Sequence, residues 1–127
     1  MGIQTLVKEI CPTSTREWIK KGALLIDVRE KDEVEHLSFE VPQIINIPLS
    51  EFENRFNEIP KDKNAVIVCN TGDRSLRAAG FLVNHGYEKV VNMQYGMVRW
   101  AQKGFHTMGN SSEAIGINSC CSTIVCC

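Results

Sequence analysis

No stretch of the sequence approaches the ~18 consecutive apolar residues that a membrane-spanning helix needs. The opening Met1-Gly2-Ile3-Gln4-Thr5 carries no basic segment leading into an apolar run. These absences remove the usual marks of a secreted or spanning protein, and the expected location is the cytoplasm, with no membrane partner. Charge of one sign is also missing: 14 Lys and Arg stand against 15 Asp and Glu, a formal charge of −1. Without a basic excess there is no broad attraction to nucleic acid, so none is expected as a partner, and any recognition of an anion has to be local. Internal repeats are absent. The six cysteines include no two separated Cys-x-x-Cys pairs, the common structural zinc pattern, so neither a metal nor another cofactor is expected. In a reducing compartment a cysteine is more often reactive or inert than disulfide-bonded.

At 127 residues, with 43% hydrophobic and 23% charged side chains, the chain has the balance of an ordinary globular protein and the length of one domain. Such a chain buries roughly two-thirds of its unfolded surface, enough core to stand without staples. Short runs rich in Val and Ile recur at 24–28, 44–47, 65–69 and 89–92, with a weaker one at 3–7. Near-continuous apolar runs of this length predict strands buried on both faces. Between them, Ser14 with Glu17 and Ser50 with Glu53 read as helix-capping boxes, and Gly22 as a stop. From 74 to 85, Leu76, Ala79, Leu82 and Val83 share one side at helical spacing, and Gly86 follows where a helix would end. A last helix is predicted over about 94–103, with Met97, Trp100 and Ala101 facing inward and Gly104 ending it. Strand alternating with helix indicates an α/β sandwich around a mostly parallel sheet, in which ligands sit at the carboxyl ends of the strands. After Phe105 the composition turns to Gly, Ser and Asn and then to Cys. The domain is therefore taken as 1–106, and 107–127 as a tail expected to be flexible.

The segment Val68-Cys69-Asn70-Thr71-Gly72-Asp73-Arg74-Ser75 lies between the clearest predicted strand and the clearest predicted helix. If this loop curls over Cys69, successive backbone N–H groups point inward, Gly72 supplies a conformation closed to other residues, and the helix adds its positive end. Oriented amides and a nearby guanidinium favour thiolate over thiol, and the thiolate is the reactive form. It can attack an electrophilic sulfur, such as the outer sulfur of thiosulfate, releasing sulfite and leaving a persulfide that a thiol or cyanide then unloads. On this reading Cys69 and Arg74 are the catalytic residues. Asn70, Thr71, Gly72, Asp73 and Ser75 form the substrate-binding loop, mainly through backbone donors, with Arg74 and the Ser75 hydroxyl addressing the donor's anionic group. Asp73 is expected to turn its carboxylate away from the sulfur, toward Arg77. The plainer alternative, a buried cysteine at a strand end, is common, and the Gly and Arg at fixed positions between strand and helix weigh against it.

The loop resembles the cysteine, x, x, glycine, x, arginine, serine loop of the single-domain rhodaneses. Leu25-Ile26-Asp27-Val28-Arg29-Glu30 is similar to their Asp-Val-Arg strand signature, Ile45-Asn46-Ile47-Pro48-Leu49 to a third segment, and Gly96 through Phe105 to their C-terminal glycine-tryptophan signature. The likeness covers about residues 3–106. It implies a rhodanese-like α/β fold with a five-stranded, mostly parallel sheet and helices on both faces, and Cys69 as a persulfide carrier. It also implies a small sulfur donor, a thiol acceptor and a candidate sulfur-acceptor protein as partners. Asp27 and Arg29 are placed near the active face as structural support. Two departures stand out: Glu40-Val41-Pro42-Gln43-Ile44 replaces the usual His-Ile-Pro-Gly-Ala approach to the third strand, and Tyr95-Gly96 replaces a paired glycine. His36 reads as a surface residue, and Cys11 as a passive core residue.

Two other functions compete. Phosphatases and arsenate reductases also use a cysteine thiolate in an amide-lined loop, but their loops are one residue longer than the four residues between Cys69 and Arg74, and commonly carry histidine where Val68 stands. A noncatalytic rhodanese-like binding module commonly lacks the cysteine. In the tail, Cys120, Cys121, Cys126 and Cys127 are candidates for sulfur relay or redox exchange. A terminal Cys-Cys also resembles a prenylation signal, with nothing else in the sequence to support that use.

Overall fold

Four Val- and Ile-rich runs fold into strands of one sheet in the computed structural model of the chain, which describes residues 7–109. The order along the chain is β1 (Glu9–Ile10), α1 (Pro12–Lys20), β2 (Leu24–Asp27), α2 (Lys31–His36), β3 (Leu37–Phe39), β4 (Ile44–Asn46), α3 (Phe52–Arg55), β5 (Ala65–Val68), α4 (Asp73–Asn84), β6 (Val90–Met93), α5 (Gly96–Gln102) and β7 (Thr107–Gly109). The sheet runs β1-β6-β5-β2-β4 with every neighbouring pair parallel. Every residue of β5 and β6 is buried, as strands covered on both faces require. Side chains alternate between two core layers. Ile26, Ala65, Ile67 and Val90 pack with Ala78, Ala79 and Leu82 of α4; Leu25, Val66, Val68, Val91 and Met93 pack with Met97 and Trp100 of α5. Among the described residues no helix is long and apolar enough to cross a membrane.

Several expectations are corrected. The first described strand is Glu9–Ile10, and the weaker candidate at 3–7 lies almost wholly outside the described residues. Neither capping box forms: α1 starts at Pro12, where a missing N–H costs nothing, so Ser14 and Glu17 lie inside the helix. The Ser50 hydroxyl donates to Glu30 Oε1 at 2.9 Å. In α4 the inward residues are Ser75, Ala78, Ala79 and Leu82, while Leu76 is 38% exposed. The buried face is rotated because the helix start turns Ser75, not Leu76, toward the loop. β3 and β7, unanticipated, pair antiparallel from Leu37 opposite Gly109 to Phe39 opposite Thr107, so folded structure continues past residue 106. Cys11 is half-buried at the start of α1 rather than in the core, with its sulfur 3.6 Å from the Ser14 hydroxyl. The remaining tail, with Cys120, Cys121, Cys126 and Cys127, lies outside the described residues.

Two arrangements hold the carboxyl edge of the sheet. At the end of β2 the Asp27 carboxylate accepts hydrogen bonds from Arg29 N at 3.0 Å, Nε at 3.1 Å and Nη2 at 2.9 Å. Both residues are buried, 0% and 3% exposed. The Asn46 amide donates to the carbonyls of Asp27 and Arg29 at 2.9 and 3.0 Å, tying β4 to the pair. From the other side, the first turn of α5 donates Met97 N–H to Cys69 O at 2.9 Å and Val98 N–H to Asn70 O at 3.1 Å. The close approach requires a residue without a side chain: a Cβ on Gly96, at φ +58°, would stand 2.3 Å from Asn70 O and 2.6 Å from Cys69 O.

Asp27→Ala strands a buried guanidinium and is expected to cost about 3–5 kcal/mol, read from urea unfolding, with Arg29→Met in the same chain restoring part of the loss. A cost below about 1 kcal/mol would show that the Arg29 charge is satisfied without Asp27. Gly96→Ala forces both backbone strain and a backbone collision, and is expected to lower unfolding free energy by about 2 kcal/mol or more. Gly22→Ala, with nothing within 4 Å of its Cβ, is the control that carries strain alone.

Candidate active site

Cys69 follows the last residue of β5, so it leaves the sheet at the carboxyl end of a central strand. Its side chain turns back under the loop and the residue is 0% exposed. The Gly72 N–H lies 3.0 Å from Cys69 Sγ and the Ser75 N–H 3.4 Å. Both amides therefore point at the sulfur, which is how a turn followed by a helix start builds an anion cradle. Gly72 reaches this geometry at φ +105°, in the left-handed region that glycine enters without steric cost. A Cβ there would sit 3.1 Å from Tyr95 N. The Gly72 carbonyl accepts from Ser75 Oγ at 3.2 Å, Leu76 N at 3.2 Å and Asn92 Nδ2 at 3.4 Å, so the residue is pinned on its far side while its N–H faces the sulfur.

Asn92 was not among the residues singled out from the sequence. It is fully buried in β6, bonds the exposed Glu9 carboxylate at 3.2 Å as well as Gly72, and its Oδ1 has no partner among the described residues. A polar side chain closing the run Val90-Val91-Asn92 was the only local signal: a buried amide in an apolar strand is retained where it has something to hold.

The other predicted site residues divide. Asn70 is half-buried, while Thr71 and Asp73 are exposed. The Ser75 hydroxyl, expected to face a donor, is buried against the Gly72 carbonyl; a helix-start serine reaches its own preceding turn before it reaches solvent. Arg74, expected over the sulfur's substrate, forks onto Glu33 of α2, Nη1 to Oε2 at 2.9 Å and Nη2 to Oε1 at 2.8 Å. Both side chains are 34% exposed. The hydrogen bonds from Arg74 hold the Glu33 carboxyl below its ordinary value. Arg74 is raised in turn, chiefly by Glu33, with a smaller electrostatic share from Cys69. Glu33 was missed because it stands 41 residues from Arg74 and no local spacing connects them. Asp27 and Arg29, expected as supporting residues, pair with each other, Nη2 to Oδ2 at 2.9 Å.

The departure at Tyr95-Gly96 is also explained. Both residues are left-handed, at φ +68° and +58°. The Tyr95 side chain is 45% exposed, and the Arg99 guanidinium lies 4.7 Å from its ring centroid. A non-glycine residue there carries about 1–2 kcal/mol of backbone strain but meets no collision, whereas Gly96 has no such freedom.

A depression of about 440 Å³ borders the loop at Asn70 and is also lined by Arg29, Asp32, Glu33, His36, Leu37 and Met97. His36 is exposed on its rim, on the surface as expected. A larger cavity, about 640 Å³, lies among Phe39, Val41, Pro42, Ile44 and Met108 and includes no residue of the loop. Among the described residues no group of three or more His, Cys, Asp or Glu is placed to hold a metal.

The model of the rhodanese-like domain family matches residues 12–103. A sulfurtransferase of Allochromatium vinosum is 36% identical over 84 residues, covering 66% of this chain and 77% of that protein. A thiosulfate sulfurtransferase of Pseudomonas syringae is 30% identical over 96 residues, covering 76% and 89%. Among solved structures, a rhodanese-related protein from Thermoplasma volcanium superposes with a TM-score of 0.72 at 29% identity, over 80% of this chain and 97% of that one. The same parallel sheet, matched across the strand before Cys69 and the helix after it, makes this chain a member of the rhodanese-like domain family, with sulfurtransferases among its relatives.

Proposed function

We propose that the chain carries sulfane sulfur as a persulfide on Cys69, taking it from thiosulfate or a related persulfide donor and delivering it to a thiol or to cyanide. The observation that carries this reading is the convergence of the Gly72 and Ser75 amides on Cys69 Sγ. In the first half-reaction the Cys69 thiolate attacks the outer sulfur of thiosulfate; the S–S bond breaks and sulfite leaves with the electron pair. In the second, an acceptor thiolate or cyanide attacks the outer sulfur of the persulfide, and the Cys69 thiolate leaves. Amides that already point at Sγ need little reorganisation to hold negative charge one bond further out. The sulfur is buried, so donor entry requires the exposed Thr71 and Asp73 side of the loop to part.

The phosphatase reading is less well supported, because the Arg74 fork is engaged by Glu33 rather than lining the ring, and a tetrahedral phosphate needs more donors than two amides. The noncatalytic module is disfavoured by the intact loop around the cysteine. A reducing cytoplasmic setting would keep Cys69 a free thiol, with a sulfur-acceptor protein as the natural macromolecular partner.

Incubation with thiosulfate is expected to add one sulfur atom to the intact mass, mapped to the peptide holding Cys69, and Cys69→Ser is expected to lose it. Release of phosphate from aryl phosphates without any sulfur adduct would overturn the assignment in favour of phosphatase chemistry. Sulfur relay through the C-terminal cysteines is tested by ending the chain after Gly109, which keeps β7. Transfer to a protein acceptor should slow while transfer to cyanide persists, and unchanged rates for both would remove the relay.

A further inference from the structure

Two guanidinium groups stand near the mouth of the loop, and each already faces a carboxylate. Arg29 is closed on Asp27 inside the fold. Arg74, close enough to Cys69 for the two to interact electrostatically, is closed on Glu33 through both arms of its fork. The acids around this mouth outnumber what these cations balance. Asp32 and Glu33 line the depression beside Asn70, Glu30 acts electrostatically on Arg74, and Asp73 is exposed at the start of α4. A dianion approaching Cys69 therefore meets carboxylates, and the cation best placed to receive it is occupied by a carboxylate on its own chain. An intramolecular partner held on a neighbouring helix has a high effective concentration, so a dilute free anion displaces it poorly.

We propose that Glu33 is a specificity-determining residue of the donor site: by closing on Arg74 it withholds the guanidinium from a dianionic donor such as thiosulfate and selects a hydropersulfide without an anionic head group. The inference rests on the persulfide-carrier reading above and names its preferred donor class. With such a donor the Cys69 thiolate attacks the terminal sulfur of RS–SH, the S–S bond breaks, RS⁻ leaves with the electron pair, and Cys69 becomes Cys–S–SH. The leaving RS⁻ carries one charge against the two of sulfite, so less charge has to be met and Arg74 can stay on Glu33 throughout. Because the Glu33–Arg74 pair is one-third exposed, the fold does not depend on it, and its removal reports on selectivity rather than on folding.

The test compares wild type with Glu33→Gln by following sulfur addition to Cys69 from thiosulfate and from a small alkyl hydropersulfide, generated in situ, that has no charged group beyond its persulfide. Glu33→Gln is expected to raise the second-order rate with thiosulfate about tenfold, the scale of one charge-assisted hydrogen bond. The hydropersulfide rate should stay within about twofold, well inside the value of such a bond. In the wild type the thiosulfate rate should rise between about 0.01 and 0.15 M salt, as the screening length falls from ~30 to ~8 Å; in Glu33→Gln that rise should vanish or reverse. An unchanged ratio between the donors, a slower thiosulfate reaction in Glu33→Gln, or a wild-type thiosulfate rate that falls with salt would each overturn the proposal while leaving Cys69 as the carrier. Absence of an adduct from either donor in the wild type would instead withdraw the carrier reading and this inference with it.

Discussion

The sulfur of Cys69 sits where it does because two backbone N–H groups, from Gly72 and Ser75, point at it. Much of the local architecture serves that convergence. Gly72 has to be left-handed for the chain to double back, its carbonyl is held by Ser75, Leu76 and Asn92, and the carbonyls of Cys69 and Asn70 are held by the first turn of α5. The loop is thus clamped between the starts of two helices, with Gly96 as the contact point. An amide cradle assembled in the fold does not have to be organised when charge develops on sulfur, and that is its chemical value.

Two guanidinium–carboxylate pairs flank this cradle and differ in what their surroundings make of them. Asp27–Arg29 is almost wholly removed from water, so neither partner can lose the other without leaving a charge in a medium that solvates it poorly. The pair locks the end of β2 to β4 through Asn46. Glu33–Arg74 joins α2 to α4 at the surface, where water replaces a lost partner at little cost. The buried pair is architecture; the exposed pair is where the proposed donor selection would act.

The central strands are buried on both faces, and the ribbon of β3 and β7, with the 640 Å³ cavity beside it, lies away from the loop. The departure at Glu40 to Ile44 runs from the end of β3 into β4, and Val41, Pro42 and Ile44 line that cavity.

Much of this was legible in the sequence, for reasons that are local. Strands β2, β4, β5 and β6 are continuous apolar runs because both their faces are covered, and Gly86 and Gly104 mark the ends of α4 and α5 with left-handed turns. The cysteine loop reads directly, since the amides that point at Cys69 Sγ come from residues within six positions of it. What depends on distant partners was not legible. β3 and β7 are three-residue strands whose pairing spans the chain. Ser50 bonds Glu30 instead of capping its own helix, Asn92 reaches across to Gly72, and Leu76 faces outward because the helix start is set by the loop. By itself the sequence determined four of the sheet's five strands and the loop that follows β5 at Cys69. Only the tertiary structure decided where the Arg74 charge is delivered, because a guanidinium on a flexible stem takes whichever carboxylate the packing of α2 against α4 brings within reach.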